Sequence, residues 1–196
     1  YKEMCIGTAV PEKAQLEAIP HHFIQNKSIH QIFNASDFEF EVIELLNLLF
    51  KKHDKIILVG GSGLYIDAVV KGIDDLPKID PELRKELQNR IQIEGLDGLR
   101  RELKLLDPVS YHSIDLQNPK RLQKALEISL ITGKPYSEFL KGSPKERNFS
   151  VKNIALNIDR TELYHRINKR VFQMIEKGLV AEAETLLKYK HLNPLN

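Results

Sequence analysis

Apolar residues recur every three or four positions along most of this 196-residue chain, a spacing that predicts amphipathic helices. Several of these runs begin with a capping residue or an early proline, as at Asp80-Pro81-Glu82, Asn118-Pro119 and Asp159-Arg160-Thr161-Glu162. The predicted helices span residues 35–50, 80–94, 97–106, 118–132, 159–177 and 180–190.

Two shorter runs have the character of β-strands. Residues 55–59 are largely apolar and lead into a glycine-rich turn, and residues 151–158 alternate apolar and polar side chains. Between them, residues 77–147 show helical patterns that end in a polar linker. This order predicts an α/β fold, in which residues 1–76 and 148–196 form a parallel sheet flanked by helices and residues 77–147 form an inserted helical domain.

The turn Gly60-Gly61-Ser62-Gly63 joins the first predicted strand to a helix. Glycine permits left-handed backbone angles and close approach of a ligand, and a helix start offers unpaired N–H groups to an anion. The turn lacks the lysine of a Walker A loop, and Leu64 stands where a nucleophile elbow requires glycine. Two interpretations remain open: a close-packed turn, or a ligand site to which Ser62 adds a hydroxyl.

Composition narrows the class of protein. With 42% hydrophobic and 29% charged residues, the chain is typical of a soluble globular protein. The single cysteine, Cys5, excludes an internal disulfide, and no apolar run approaches the roughly 18 residues of a membrane span. The seven histidines lack the paired spacing of a zinc site. No signal peptide is apparent, so a cytoplasmic location without a membrane partner is expected. The protein is further expected to be a monomer.

Positive charge is concentrated in the later part of the chain. Residues 1–77 contain 7 Lys/Arg and 11 Asp/Glu, whereas residues 78–196 contain 22 and 16. Lys120, Arg121 and Lys124 lie in the first turns of a predicted helix, where the helix dipole disfavours each cation by about 0.3–1 kcal/mol. A phosphate backbone that meets these side chains and the N–H groups of the helix start would offset that cost. The alternative is a solvated face opposite the apolar stripe of the same helix.

Arg166 and Arg170 lie one turn apart on the long helix that begins after Asp159. Helical phase places Arg170 beside Leu163, at the edge of an apolar stripe, so its side chain is expected to be partly buried. A partly buried guanidinium requires an anionic partner. That partner is either a carboxylate of the same protein or a phosphate of a ligand.

Five blocks of sequence together resemble the tRNA dimethylallyltransferases, also called tRNA isopentenyltransferases. The segment from Tyr1 to Pro11 is similar to the family's Y-K-x-M-x-I-G-T-A-K-P, with Val10 in place of lysine, and Ile19-Pro20-His21-His22 continues it. The remaining blocks are Ala35-Ser36-Asp37-Phe38; Gly60 to Tyr65, with Ser62 for threonine; Asn118 to Glu127, with Lys124 for the second arginine; and Arg166-Ile167-x-x-Arg170.

The resemblance implies a P-loop-NTPase-like α/β core with an inserted helical domain. Members of the family transfer a dimethylallyl group from dimethylallyl diphosphate to N6 of adenosine 37 in tRNA, with Mg²⁺. By residue-level likeness, Arg170 is a catalytic residue that binds the diphosphate together with Arg166. The residues implied to contact tRNA, mainly at its anticodon stem-loop, are Ser62, Arg84, Lys120, Arg121, Leu122, Gln123 and Lys124.

The chain also departs from the family pattern. The family's Walker A loop and catalytic aspartate precede the segment that begins here at Tyr1, and its T-V-G-Y block follows the segment that ends here at Asn196. The sequence is therefore expected to be a fragment that is inactive alone. Two alternatives remain open: an adenylate dimethylallyltransferase, against which the helical insertion argues, and a non-catalytic RNA-binding remnant.

Overall fold

A computed structural model describes residues 1–77, 80–140 and 142–192. Residues 78, 79, 141 and 193–196, which fall within the predicted insertion and core, lie outside the described residues. The helices are α1 (Lys13–Ala18), α2 (Ala35–Leu49), α3 (Gly63–Lys71), α4 (Pro81–Glu94), α5 (Asp97–Leu106), α6 (Pro108–Ser113), α7 (Pro119–Thr132), α8 (Arg160–Glu176) and α9 (Leu179–Leu186). Single 3₁₀ turns span Tyr136–Phe139 and Leu187–Tyr189.

The helix starts follow from local capping chemistry and confirm the sequence-based prediction. Asn34 accepts hydrogen bonds from the backbone N–H groups of Ser36 and Asp37 at the start of α2. Asp80 caps α4 ahead of a proline, and Asp159 caps α8 by accepting from two backbone N–H groups of its first turn. Each cap satisfies donors that the helix itself leaves unpaired, which is why these helices begin where they do.

The chain divides into two compact units. The first unit comprises Tyr1–Ile56 and the described residues from Asn148 onward, and the second unit comprises Ile57–Arg147. The bounds of these units differ from those of the predicted insertion. The inserted helical domain at residues 77–147 therefore stays a prediction.

The second unit has a hydrophobic core built by α4, α5 and α7. Its fully buried members are Leu87, Leu99, Leu103, Leu122, Ala125 and Leu126. Burial of a leucine side chain contributes roughly 1.5–3 kcal/mol, so this cluster is the main source of stability for the unit.

In the second unit, the side chain of Asp107 connects the start of α6 with the 3₁₀ turn at Tyr136–Phe139. Its carboxylate accepts hydrogen bonds from the backbone N–H of Ser110 at 2.9 Å, and from the backbone N–H and hydroxyl of Ser137, both at 2.8 Å. Burial raises the pKa of Asp107, but these hydrogen bonds outweigh burial and leave the pKa below its usual range. The ionised carboxylate therefore fixes the start of α6 against the 3₁₀ turn at Tyr136–Phe139.

In the first unit, a carboxylate on α9 binds the N-terminal loop. Glu182 accepts from the backbone N–H groups of Cys5, Ile6 and Gly7 at 2.7, 2.8 and 2.8 Å. Partial burial raises the pKa of Glu182, and the three hydrogen bonds lower it further than burial raises it. Lys177 adds an ion pair to Glu12 at 3.1 Å. Hydrogen bonding thus connects residues far apart in the sequence of this unit.

The parallel sheet is not confirmed. The described residues contain no β-strand, and residues 55–59 and 151–158 have no regular secondary structure. Most of their apolar side chains are exposed, with Ile57 at 89% and Leu156 at 95%. A strand is stabilised when a neighbouring strand accepts and donates its backbone hydrogen bonds. Within the described parts of the chain, neither segment has such a neighbour.

Candidate functional site

The N-terminus of α7 presents cations on its surface. Lys120 and Arg121 are exposed, and Lys124, one turn later, is half-buried. The backbone N–H groups of Lys120 and Arg121 donate to the side-chain oxygen of Asn118 at 3.1 and 3.2 Å. The expectation that these two N–H groups are free for a phosphate is therefore wrong, because the Asn118 cap occupies them. Any anion that binds here meets the side chains instead.

The other two predicted RNA-contacting residues on α7 point inward. Leu122 has no exposed surface and belongs to the core, so its role in the structure is packing. Gln123 is 8% exposed, and its amide Nε2 donates to the carboxylate of Glu127 at 2.9 Å and to the backbone carbonyl of Arg84 at 3.1 Å. The block thus combines an exposed basic surface with a buried polar anchor.

Arg84, on α4, is held by the same anchor. Its Nε and Nη2 donate to Oε1 and Oε2 of Glu127 at 2.9 and 3.0 Å, which is a bidentate pair. The Glu127 side chain is 1% exposed, whereas that of Arg84 is 42% exposed. The hydrogen bonds to Glu127 raise the pKa of Arg84, although burial opposes this. The guanidinium is therefore charged, fixed on one edge and open to solvent on the other side.

The ammonium group of Lys124 interacts electrostatically with both Glu127 and Arg84. Burial lowers the pKa of Lys124, the Glu127 carboxylate opposes this shift, and the Arg84 guanidinium adds to it. Two cations therefore share one buried carboxylate, and the local group carries a net positive charge. Such a surface attracts a polyanion.

Ser62 and the surrounding glycines form an exposed turn at the start of α3. Ser62 occupies the N-cap position, but its side chain makes no capping hydrogen bond. A Cβ added at Gly60, Gly61 or Gly63 would meet no atom within 4 Å, and none of the three has a positive φ. Neither close packing nor a left-handed backbone explains these glycines in this structure. The ligand site at Ser62 stays a prediction.

The two arginines of α8 belong to the first unit. Arg166 donates from Nε to Glu162 at 2.7 Å, and this exposed pair lowers the pKa of Glu162. Arg170 is exposed, so the expected partial burial is wrong. The reason is that α8 buries none of its residues: the side chains of its apolar stripe, Leu163, Ile167, Val171 and Ile175, remain 44–48% exposed. Within the described residues, Arg170 has no carboxylate partner and is open to an added anion.

Glu127 is the residue of the site to which sequence analysis assigned no role. The signal was present, because an acidic residue lies among Ala125, Leu126 and Ile128 on a helix that is otherwise apolar there. A carboxylate in such a position is buried only when it is paired. The partner, Arg84, lies 43 residues earlier in the chain and could not be identified from spacing.

The described residues contain no group of three or more His, Cys, Asp or Glu side chains that could hold a metal ion. Among the described residues, no helix has the length and apolar character needed to cross a membrane.

Comparison with known proteins places this geometry in context. The family model described as IPP transferase matches residues 1–196. The tRNA dimethylallyltransferase of Christiangramia forsetii is 50% identical over the whole chain, and tRNA dimethylallyltransferase 1 of Bacteroides thetaiotaomicron is 46% identical. The chain spans 65% and 64% of the length of these two relatives.

Solved structures agree with the sequence relatives. The full-length tRNA isopentenylpyrophosphate transferase of Bacillus halodurans is 33% identical, with a TM-score of 0.55. The alignment covers 96% of this chain and 58% of that protein. The corresponding enzyme of Staphylococcus epidermidis is 27% identical, with a TM-score of 0.54, and the alignment covers 96% and 62% of the two chains.

Proposed function

The chain belongs to the IPP transferase family, and we propose on this premise that the whole protein transfers a dimethylallyl group from dimethylallyl diphosphate to N6 of adenosine 37 in tRNA. The observation that carries the RNA part of the proposal is the basic surface of α7, where Lys120 and Arg121 are exposed beside the charged group of Arg84 and Lys124. A free nucleotide has no need of such a surface, whereas an RNA backbone presents a phosphate at every residue.

The second unit would hold the RNA. Lys120 and Arg121 would contact phosphates of the anticodon stem-loop through their side chains, and Arg84 would add a further contact from α4. Because phosphate contacts position an RNA without reading its sequence, these cations would set the register of the anticodon loop. The exposed hydroxyl of Ser62 offers a hydrogen-bond donor and acceptor to the same ligand.

Arg170 would bind the diphosphate. In the reaction, N6 of adenosine forms a C–N bond with C1 of the dimethylallyl group while the C–O bond to the diphosphate breaks. The bonding electron pair leaves with the diphosphate, and N6 releases a proton. A guanidinium near the departing oxygens stabilises the charge that develops on them, and Arg166 would support the same anion after exchanging its contact with Glu162.

Mg²⁺ belongs to the proposal as a partner of the diphosphate, where it would neutralise charge on the leaving group. We further propose that the protein acts in the cytoplasm and as a monomer.

The decisive experiment offers the complete gene product both acceptors together. Labelled dimethylallyl diphosphate would be supplied with tRNA and with an equal amount of adenylate, and the label would be followed into each. We expect label in tRNA at adenosine 37 and none in the free nucleotide. Label that enters adenylate would favour a nucleotide prenyltransferase, and binding of tRNA without transfer would favour an RNA-binding protein. Either result would overturn the proposal.

A further inference from the structure

Burial of the Glu127 carboxylate costs hydration free energy, which hydrogen bonds to neighbouring side chains must offset. An ionised side chain with 1% exposure loses almost all of its hydration, and it is tolerated only when its oxygens are fully hydrogen-bonded. Here Oε1 accepts from Arg84 Nε and from Gln123 Nε2, and Oε2 accepts from Arg84 Nη2. Both oxygens of the carboxylate therefore accept hydrogen bonds, and these fix its orientation.

The geometry of the pair leaves half of the guanidinium available. Glu127 takes the edge formed by Nε and Nη2, and no described group of the protein accepts from Nη1. A guanidinium has five N–H donors in a fixed plane. The edge formed by Nη1 and the second hydrogen of Nη2 is itself a fork, and its shape matches two oxygens of one phosphate.

Gln123 makes the arrangement rigid. It ties α7 to the backbone carbonyl of Arg84 as well as to the carboxylate, so the main chain and the side chain of Arg84 are both anchored to one helix. Lys120, Gln123, Lys124 and Glu127 lie at spacings of three and four and therefore share one face of α7. The exposed cation of Lys120 and the fork of Arg84 are thus held on the same helix face.

We infer that Glu127 is a positioning residue for RNA: with Gln123, it fixes the guanidinium of Arg84 so that its outer edge binds a phosphate of the RNA backbone. The inference rests on the proposed function, and it assigns a role to a carboxylate that itself touches no RNA. It also accounts for a buried acidic side chain beneath a basic surface. Without it, Arg84 and Lys124 would repel one another, and the fork would lose its orientation.

The test measures binding of a fluorescein-labelled RNA hairpin, with the sequence of a tRNA anticodon arm, to the complete gene product over a series of salt concentrations. Arg84→Ala removes one phosphate contact and should weaken binding roughly three- to tenfold, with a smaller salt slope. Glu127→Gln should weaken binding to a similar extent although Arg84 keeps its charge. The double variant should be no weaker than Arg84→Ala alone, because both changes remove the same contact.

Arg84→Lys gives a second test, in which the buried Glu127 keeps a cationic partner. If Glu127→Gln does not fold, this variant alone tests the positioning role of Glu127. A lysine bound to Glu127 has no second edge, so RNA affinity should fall as far as in Arg84→Ala. In turnover assays, the KM for tRNA should rise in Glu127→Gln and in Arg84→Lys while kcat at saturating tRNA changes little, since the lost contact is to the RNA backbone and not to the reacting atoms.

The control is Glu102→Gln, which breaks the ion pair of Arg90 and Glu102 in the same unit, where both side chains are 28% exposed. It should leave RNA affinity and salt slope unchanged. Wild-type affinity in Glu127→Gln or Arg84→Lys, with only the melting temperature lowered, would overturn the inference and make the pair structural. If those variants bind normally while Lys120→Ala/Arg121→Ala/Lys124→Ala binds weakly, the proposed function stands and this inference fails. If the wild-type protein does not bind the hairpin, both fail.

Discussion

The two units of the molecule are stabilised in different ways. The second unit buries a cluster of leucines from three helices, with Leu87, Leu99 and Leu103 fully inaccessible. In the first unit, the buried residues among those described are Ile29, Glu39 and Val42, and α8 buries none. The second unit therefore depends on the hydrophobic effect, and the first unit depends to a larger degree on hydrogen bonds between distant segments.

The two units also differ in the functions predicted for them. In the second unit, a rigid core supports a polar anchor that fixes Arg84 beside the exposed cations of α7. In the first unit, Arg170 lies on a helix with an exposed apolar stripe, and no described carboxylate holds it. A preorganised surface suits recognition of a large ligand, whereas an exposed cation without a fixed partner is ordered when its anion binds.

The largest expected effect comes from breaking the core of the second unit. Leu103→Ala should destabilise the protein by about 2–5 kcal/mol, because the residue is fully buried and its loss leaves a cavity. The matched control is Leu105→Ala on the same helix, where the side chain is 84% exposed and the change should stay within about 0.5 kcal/mol. Urea denaturation measures both, and equal effects would contradict the assignment of the core.

The second prediction concerns Asp107, the polar junction of the same unit. Asp107→Asn should cost about 1–3 kcal/mol, because an amide nitrogen cannot accept from the donors of Ser110 and Ser137. The pKa of the carboxyl is lowered in the folded state, so its contribution is present above its usual pKa and is lost as the pH falls through the lowered value. The variant should show a weaker loss of stability in acid than the wild type; an identical acid profile would contradict this role.

A third change tests the basic surface without touching the core. Replacing Lys120, Arg121 and Lys124 by alanine in the complete gene product should weaken tRNA binding by about 10- to 100-fold and reduce its salt slope by roughly 2–3. Binding of dimethylallyl diphosphate should change little. The melting temperature should not fall, since cations at a helix start are unfavourable to the dipole. An unchanged salt slope would indicate that these residues form a solvated surface and make no contact with RNA phosphates.

The fourth prediction moves to the first unit. Arg170→Lys keeps the charge but loses the planar fork, so turnover of the complete gene product should fall about tenfold, or ~1.4 kcal/mol. The affinity for tRNA and the melting temperature should hold, because Arg170 is exposed and forms no ion pair with a described carboxylate. Lys169→Ala on the same helix serves as the control. Single-turnover rates and melting curves on one preparation distinguish a role in chemistry from a role in stability.

The smallest effect is local and tests the hydrogen-bonded loop of the first unit. Glu182→Gln should reduce stability by roughly 1 kcal/mol and speed hydrogen exchange at the amides of Cys5, Ile6 and Gly7, which the carboxylate holds. Because the pKa of Glu182 is lowered, the wild-type protection should be present above the usual glutamate pKa and disappear as the pH falls through the lowered value. Glu184→Gln, exposed on the same helix, should leave these amides unchanged.

The amino-acid sequence by itself determined the features that act over a few residues. Asp80, Asn118 and Asp159 start their helices as predicted, because a cap and the N–H groups that it satisfies lie within three positions of one another. The basic cluster on α7 could also be found from spacing, as could the apolar stripes. Family membership followed from five short blocks in order.

Tertiary structure alone decided which polar groups meet. The pairing of Arg84 with Glu127, the inward direction of Gln123 and the exposure of Arg170 depend on how helices pack, and the residues concerned are far apart in the sequence. Strand patterns at residues 55–59 and 151–158 likewise produced no sheet in the described structure, because a strand exists only when another segment completes its hydrogen bonds. Local chemistry determines where a helix begins, whereas contacts between distant residues exist only once the chain has packed.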